Sequence, residues 1–142
     1  AYEEENGILK NIFINFICIE IRKSKSYDIP LNTNPNKFYC FETTTYNNDE
    51  IVLSLLDLEE RNIKYERNFS YEEILNEFSV LPQNVKDELI NLMYFQVFIS
   101  GLAKDKKIEI NKSGDNLRIE FHDIAKAPKG AEYNVSILLN KI

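Results

Sequence analysis

The only histidine of the chain, His122, is the side chain best suited to acid–base or metal chemistry near neutral pH. In a strand, Glu120 and His122 point to the same face and Asp123 points to the opposite face. Two ligands on one face begin a metal site, but no third ligand lies at a recognisable spacing. The pattern therefore favours a solvated histidine at a strand end, and we predict no metal site and no cofactor.

The other patterns that carry catalysis are weak. Adjacent carboxylates occur at Glu59-Glu60, Glu72-Glu73 and Asp87-Glu88, and neighbours on a helix project about 100° apart, so the members of a pair do not converge on one reacting centre. The four glycines are dispersed and form no phosphate-binding loop. We therefore predict that the protein is not an enzyme and has no catalytic residues.

The two cysteines, Cys18 and Cys40, lie in apolar, strand-like runs without a CxxC spacing. Such thiols are usually small buried hydrophobic groups, so the prediction is a reduced state and a cytoplasmic location. No signal peptide is visible at the start of the sequence. The longest apolar run is far shorter than the roughly 20 residues of a membrane-spanning helix, and we predict no membrane association.

The composition favours one folded domain over residues 1–142, because the chain is 44% apolar and contains eight tyrosines and nine phenylalanines. Its net charge of −6 is unevenly distributed. Residues 42–88 carry twelve acids and four bases, whereas residues 1–41 are neutral and residues 89–142 are slightly basic. An acidic protein without a dense basic stripe is a poor candidate for direct binding to nucleic acid.

The first half of the chain predicts two strands and a helix. Residues 8–21 are apolar on both faces, which is typical of a central strand, and a helix is the alternative for the first half of the segment. Residues 29–36 contain two prolines and three asparagines and predict a loop, and residues 37–46 are rich in strand formers. Residues 47–62 favour a helix capped by Asn48 or Asp49, although their "IVLSLL" segment also fits a strand.

Two helices are predicted next. Ser70 and Glu73 have the spacing of a capping box, so a helix should begin at Ser70 and bury Tyr71, Leu75 and Phe78. Pro82 should open a second helix over residues 83–103. Acids near its start and lysines near its end complement the helix dipole.

The middle of that second helix, "NLMYFQVFIS" at residues 91–100, has almost no polar face. A buried core helix is the first interpretation. An exposed aromatic strip that binds a partner or a second copy is the alternative, and a mixed case would leave Tyr94 or Phe98 at the surface. Membrane insertion is disfavoured, because Asn91, Gln96 and Ser100 interrupt a short run.

The last third predicts a hairpin around residues 113–115 and a final strand at residues 132–139. A two-residue turn would place Glu109 opposite Glu120, whereas a four-residue loop would pair Glu109 with Arg118. Turn geometry favours the shorter connection and cross-strand charge favours the longer one. We predict the longer loop.

Together these elements predict a single α+β domain. Its antiparallel sheet would contain the central N-terminal strand, the C-terminal hairpin and the final strand, and it would pack against two or three helices.

The acidic central block predicts a non-catalytic protein-binding domain, of the inhibitor or immunity type, for a protein partner with a basic surface. The predicted contact residues are acids around two aromatic anchors: Asp57, Glu59, Glu60, Tyr65, Glu66, Tyr71, Glu72, Glu73 and Glu77. Two alternatives stay open. One is a small-molecule pocket between sheet and helix lined by Phe38, Tyr39, Phe41 and Phe98. The other is a homodimer or larger homo-oligomer formed through residues 91–100.

Overall fold

A computed structural model describes residues 22–125 and 132–142 of the protein. The predicted N-terminal strand at residues 8–21, including Cys18, lies outside the described residues. The strands are β1 (Lys23–Leu31), β2 (Asn34–Tyr46), β3 (Glu50–Asp57), β4 (Lys64–Ser70), β5 (Ile108–Ser113), β6 (Asn116–Phe121) and β7 (Val135–Lys141). The helices are α1 (Tyr71–Glu77), α2 (Gln83–Lys86) and α3 (Leu92–Lys104).

These strands form a closed barrel in the order β1-β2-β3-β4-β7-β6-β5. Neighbouring strands are antiparallel except at the β1–β5 seam, where Leu31 pairs with Ile110 in parallel. Pairing is also short between β4 and β7, where only Tyr65 pairs with Lys141 and Glu66 pairs with Asn140 among the described residues. The predicted α+β arrangement, an antiparallel sheet packed against helices, is therefore wrong.

The barrel follows from the alternation of side chains along each strand. Ile51, Leu53 and Leu55 of β3 are fully buried, and alternate residues of a strand point to one face. Buried apolar residues alternate in the same way on β6 and β7, as at Ile119 and Ile137, and closure removes most of the unpaired strand edges that an open sheet exposes. One interior thus replaces the two layers that we predicted.

The predicted helix at residues 47–62 is wrong, because the apolar half of this segment is the strand β3, Glu50–Asp57. Asn47 and Asn48 both have positive φ, 55° and 61°, and the Asp49 N–H donates to the Tyr46 carbonyl at 3.0 Å. Asparagine tolerates this left-handed conformation, so the pair turns the chain from β2 into β3 instead of capping a helix.

The predicted loop at residues 29–36 is much shorter than expected, whereas the predicted strand at residues 37–46 is confirmed within β2. Only Asn32 and Thr33 separate β1 from β2. Pro30 is accommodated near the β1–β5 seam, where the register shifts and a proline without an N–H costs least.

The capping box is confirmed. Ser70 Oγ accepts from the Glu73 N–H at 3.1 Å, and Glu73 Oε1 accepts from the Ser70 N–H at 3.0 Å. Hydrogen bonds from Ser70 to the Glu73 carboxylate lower the pKa of Glu73, with the Ser70 N–H as the largest cause. Of the three residues that we predicted to be buried, Phe78 is fully buried, and Tyr71 and Leu75 are half-buried.

The predicted single helix over residues 83–103 is two helices. The short α2 ends at Lys86, and α3 begins after Asn91, whose Oδ1 accepts from the backbone N–H groups of Met93 and Tyr94. Asparagine is a strong N-cap, so it starts a new helix where the apolar pattern alone predicted continuity. No helix of the described residues is long and apolar enough to cross a membrane.

The C-terminal hairpin and the final strand are confirmed as β5–β6 and β7, but the predicted register is wrong. Ser113 pairs with Asn116, so the turn contains only Gly114 and Asp115, and Glu109 lies opposite Glu120. Gly114 has φ of 61°, a conformation that glycine adopts without strain. Turn geometry therefore outweighs the repulsion between the two carboxylates.

Candidate functional sites

The first group of predicted contact residues lies at the β3–β4 connection. Asp57 ends β3 and is almost fully buried, whereas Glu59 and Glu60 are exposed. Asp57 Oδ1 accepts from the Glu59 and Glu60 N–H groups at 2.9 and 3.0 Å, and its Oδ2 lies 2.7 Å from Lys37 Nζ. Asp57 therefore stabilises this turn, and the two glutamates are the accessible acids.

The second group extends along β4 and α1. Tyr65 and Glu66 are half-buried on β4, and the Tyr65 ring stands edge-on to Tyr39. On α1, Glu72 and Glu73 are exposed, and Glu77 pairs with Arg67 at 3.5 Å.

The predicted contact residues consequently occupy two ends of one strand. Lys64, which follows the 57–63 turn, and Ser70, which caps α1, are the first and last residues of β4. A strand rises about 3.3 Å per residue, so the two ends are about 20 Å apart. The structure brings Glu59 and Glu60 together at one end and Glu72 and Glu73 together at the other.

The α3 helix has two contrasting sides. Leu92, Phe95, Ile99 and Leu102 are buried, and Gln96 Nε2 donates to the Lys23 and Thr43 carbonyls at 3.0 and 3.1 Å. On the opposite side Met93, Tyr94 and Val97 are 42%, 52% and 65% exposed. The interpretation of residues 91–100 as a wholly buried helix is wrong, and the mixed alternative describes α3, with Tyr94 at the surface.

Exposed apolar side chains are concentrated near this helix. Five of the eight large apolar residues exposed in the described parts of the chain lie between residues 80 and 97: Val80, Ile90, Met93, Tyr94 and Val97. Met93, Tyr94 and Val97 line one shallow depression together with Asn91. We use the name α3 strip for Met93, Tyr94, Val97 and the equally exposed Gly101, which lie on one side of the helix.

The residues predicted to line a small-molecule pocket do not share one. Tyr39 and Phe41 are buried in the core, and Phe38 is 41% exposed. Phe98 lines a separate surface pocket of about 520 Å³ with Val85, Ile124 and other residues. The barrel interior is instead filled by side chains, including those of Phe41 and Phe121, whose ring centroids are 6.3 Å apart.

Cys40 has no feature of a nucleophile. Its side chain is half-buried on β2, and burial, with Asp28 and Glu42 nearby, raises the pKa of the thiol. A raised pKa leaves little thiolate at neutral pH.

The outer face of the β5–β6 hairpin carries a polar cluster that the sequence identified only in part. Glu109, Glu120 and His122 each offer a ligand atom, and these atoms lie within 4.8 Å of one another. His122 Nε2 is 3.0 Å from Glu109 Oε2 and 3.5 Å from Glu120 Oε2. The sequence analysis missed Glu109 as the third member because we predicted the four-residue loop. The two-residue Gly114-Asp115 turn places Glu109 opposite Glu120, so that turn was the signal that could have identified Glu109.

Two asparagines hold one side of this cluster in place. Asn111 Nδ2 donates to Glu120 Oε2 at 2.7 Å, and Asn32 Nδ2 donates to Asn111 Oδ1 at 3.1 Å. The second bond fixes which end of the Asn111 amide faces the glutamate. Glu120 is thus oriented by a chain of hydrogen bonds that starts at the β1–β2 turn.

Comparison of the sequence with models of known protein families and with curated proteins finds no match. The inhibitor and immunity-type role suggested by the composition therefore has no support in the fold or in these comparisons.

Proposed function

We propose that this protein is a non-catalytic protein-binding domain that associates with a second copy of itself through the α3 strip. The observation that carries the proposal is the exposure of Met93, Tyr94 and Val97 side by side on a helix whose other side is core. Contiguous apolar surface of this kind costs free energy in water and marks interaction sites.

The charges at the two ends of α3 favour a second copy as the partner. Asp87 and Glu88 are exposed before its first turn, and Lys104 is exposed in its last turn. A twofold axis near Val97 would lay two α3 helices antiparallel and bring the lysine of each copy towards the acids of the other. In such a twofold contact charges of opposite sign would approach each other, which favours an isologous partner.

Gly101 supports a close approach of two helices. It lies on the exposed side of α3, and a Cβ built at this position would meet nothing within 4 Å. Nothing in the monomer therefore requires glycine here, although glycine inside a helix is less favourable than alanine by about 0.5–1 kcal/mol. A missing side chain at this position leaves room for another backbone.

Val97→Lys is expected to raise the dimer dissociation constant at least about 30-fold, because an unpaired ammonium would be buried at the centre of the contact and such central positions contribute about 2 kcal/mol or more. Sedimentation velocity over a concentration series measures the effect. Phe38→Lys, at another exposed apolar position on β2, is the matched control and should leave the dimer intact. A wild-type protein that sediments as a monomer throughout, or a Val97→Lys dimer as stable as wild type, contradicts the proposal.

Gly101→Ala is expected to have opposite effects on folding and on association. The free energy of unfolding of the monomer should rise by about 0.5–1 kcal/mol, since alanine is the better helix former and the added methyl meets no neighbour. The dimer should become weaker, because the methyl occupies the space of the second helix. The change in monomer stability is measured by urea unfolding of Val97→Lys with and without Gly101→Ala, since Val97→Lys removes the dimer. The change in dimer affinity is measured by sedimentation of Gly101→Ala alone. Unchanged association would place Gly101 outside the contact.

A protein with a basic surface is a second candidate partner. Tyr71 Oη donates to the Leu89 carbonyl, which holds α1 beside the segment before α3. The exposed acids Glu72, Glu73, Asp87 and Glu88 consequently lie on neighbouring segments. If a partner recovered from the native cell binds here, reversing Glu72, Asp87 and Glu88 to lysine, with the capping residue Glu73 left in place, should lower the association rate and reverse its salt dependence. Equal association rates for wild type and the charge-reversed variant would exclude this surface.

We also propose a cytoplasmic location, which we infer from the two cysteines.

A further inference from the structure

We propose that Glu109, Glu120 and His122 form a binding site for a divalent transition-metal ion of the zinc type. The inference is independent of the proposed association through α3, because it rests on the outer face of the β5–β6 hairpin. Three observations carry it: the charge of the facing strands, the spacing of the ligand atoms, and the unpartnered nitrogen of His122.

The facing carboxylates are the first observation. Glu109 and Glu120 are direct cross-strand partners, a position at which like charges destabilise a sheet. The nearest basic side chains have other partners: Arg118 donates to Ser136 Oγ at 3.2 Å, and Lys107 lies 3.8 Å from Asp123. Among the described residues no lysine or arginine pairs with either glutamate. A bound dication would remove the repulsion by balancing both negative charges.

The spacing of the ligand atoms is the second observation. Two atoms bonded to one Zn²⁺ at about 2.0–2.1 Å are about 2.9–3.5 Å apart when the angle at the metal is about 90–110°. His122 Nε2 lies 3.0 Å from Glu109 Oε2 and 3.5 Å from Glu120 Oε2. The histidine nitrogen and each carboxylate are therefore already at the separation that one shared ion requires.

The imidazole is the third observation. The His122 side chain is 35% exposed, but its Nε2 atom is shielded from solvent and has no hydrogen-bond partner among the described residues, although a carboxylate oxygen is near. The oxygen therefore does not lie where an Nε2–H could donate to it. Buried nitrogen atoms are nearly always partnered, and a metal ion would supply the missing partner by accepting the Nε2 lone pair.

The surroundings resemble those of a metal site in a further respect. Asn32 and Asn111 form the hydrogen-bond chain that orients Glu120, and ligating carboxylates are commonly held in this way by neighbours outside the ligand set. One imidazole and two carboxylates suit zinc better than magnesium, which prefers oxygen ligands and retains its waters. Three protein ligands leave at least one position on the ion for water.

The test is calorimetric titration of the untagged protein with ZnCl₂, because a histidine tag would bind zinc itself. Wild type is expected to bind one equivalent, and Glu120→Gln and His122→Asn should each lower the affinity at least tenfold. Asn111→Ala removes an orienting hydrogen bond but no ligand and should have a smaller effect. Asp115→Asn is the matched control, since it removes an exposed carboxylate from the same hairpin, and it should bind as wild type does. Titration with MgCl₂ should give no comparable binding.

A second measurement separates loss of the site from loss of the fold. Glu109→Gln should give a small rise in Tm of the metal-free protein, because it removes the carboxylate repulsion, and should reduce the further rise in Tm that zinc produces in wild type. Absence of zinc binding to wild type would overturn the proposal. Zinc binding that survives unchanged in both Glu120→Gln and His122→Asn would overturn it as well.

Discussion

Replacing Phe78 by alanine is expected to lower the free energy of unfolding by about 3–5 kcal/mol, the range for deleting a buried aromatic side chain. Phe78 is completely buried, and it is where the helices meet the barrel. Its ring centroid lies 5.1 Å from that of Phe95 on α3 and 5.4 Å from that of Phe121 on β6. The cavity would therefore open between α3 and β6, next to the rings of Phe95 and Phe121.

Urea unfolding followed by far-UV circular dichroism measures this loss. Phe38→Ala is the control, because it removes the same side chain from a position that is 41% exposed, and it should lower the free energy of unfolding by only about 1–1.5 kcal/mol, since about half of the ring is already in water. Equal losses for the two variants would show that Phe78 does not have the central packing role inferred from its contacts.

Local signals in the sequence predicted the parts of this fold that depend on neighbouring residues. The capping box of Ser70 and Glu73, the strand at 37–46 and the C-terminal hairpin each depend on residues close in sequence. Barrel closure depends on contacts between distant segments, such as Leu31 with Ile110 and Glu66 with Asn140. Nothing in either segment by itself specifies that pairing, and an antiparallel sheet with helices was therefore an equally consistent interpretation.

The errors at residues 47–62 and at the hairpin register have a common physical origin. In both places the conformation of a turn decided the structure: at the hairpin it outweighed the cross-strand charge argument, and at residues 47–62 the asparagine that we predicted as a helix cap turns the chain instead. Asn47-Asn48 and Gly114 adopt positive φ at little cost, whereas a helix dipole interaction or one cross-strand charge pair contributes about 1 kcal/mol or less. Residues able to turn the chain sharply should therefore carry more weight than charge pairs in a sequence of this kind.

The candidate sites were predictable to different degrees. Glu120 and His122 were recognised as sharing a face, but Glu109 joined them only once the register was known.

For α3, the composition of residues 91–100 could not say which apolar residues face the core, because nearly every position is apolar. The capping Asn91 and the buried Gln96 set the rotation of the helix, and that rotation leaves Met93, Tyr94 and Val97 outside.

Replacing Asp57 by alanine is expected to cost about 2–3 kcal/mol of stability at neutral pH, which makes this acid a structural residue. Its carboxylate accepts from Glu59 N–H, Glu60 N–H and the Lys37 ammonium, and bonds to a charged group contribute about 1.5–3 kcal/mol. The loss is less than that of a fully buried ion pair, because Lys37 also lies 3.5 Å from Glu59 and reaches solvent. The exposed Glu60→Ala is the control and should be nearly neutral.

The pH dependence of Asp57 has a definite sign. Burial alone would raise the pKa of its carboxyl, but the hydrogen bonds from Lys37, Glu60 and Glu59 outweigh burial and lower the pKa below 3.8. A lowered pKa in the folded state contributes stability that is complete above the unfolded pKa and is lost as the pH falls through the folded value. Asp57→Asn retains an oxygen for the two backbone N–H groups but cannot titrate. The stability difference between wild type and Asp57→Asn should consequently be largest near pH 7 and should shrink below about pH 4. Urea unfolding at pH 7, 5 and 3 measures it, and a difference that grows towards acid pH would mean that burial, and not the Lys37 contact, dominates at this carboxylate.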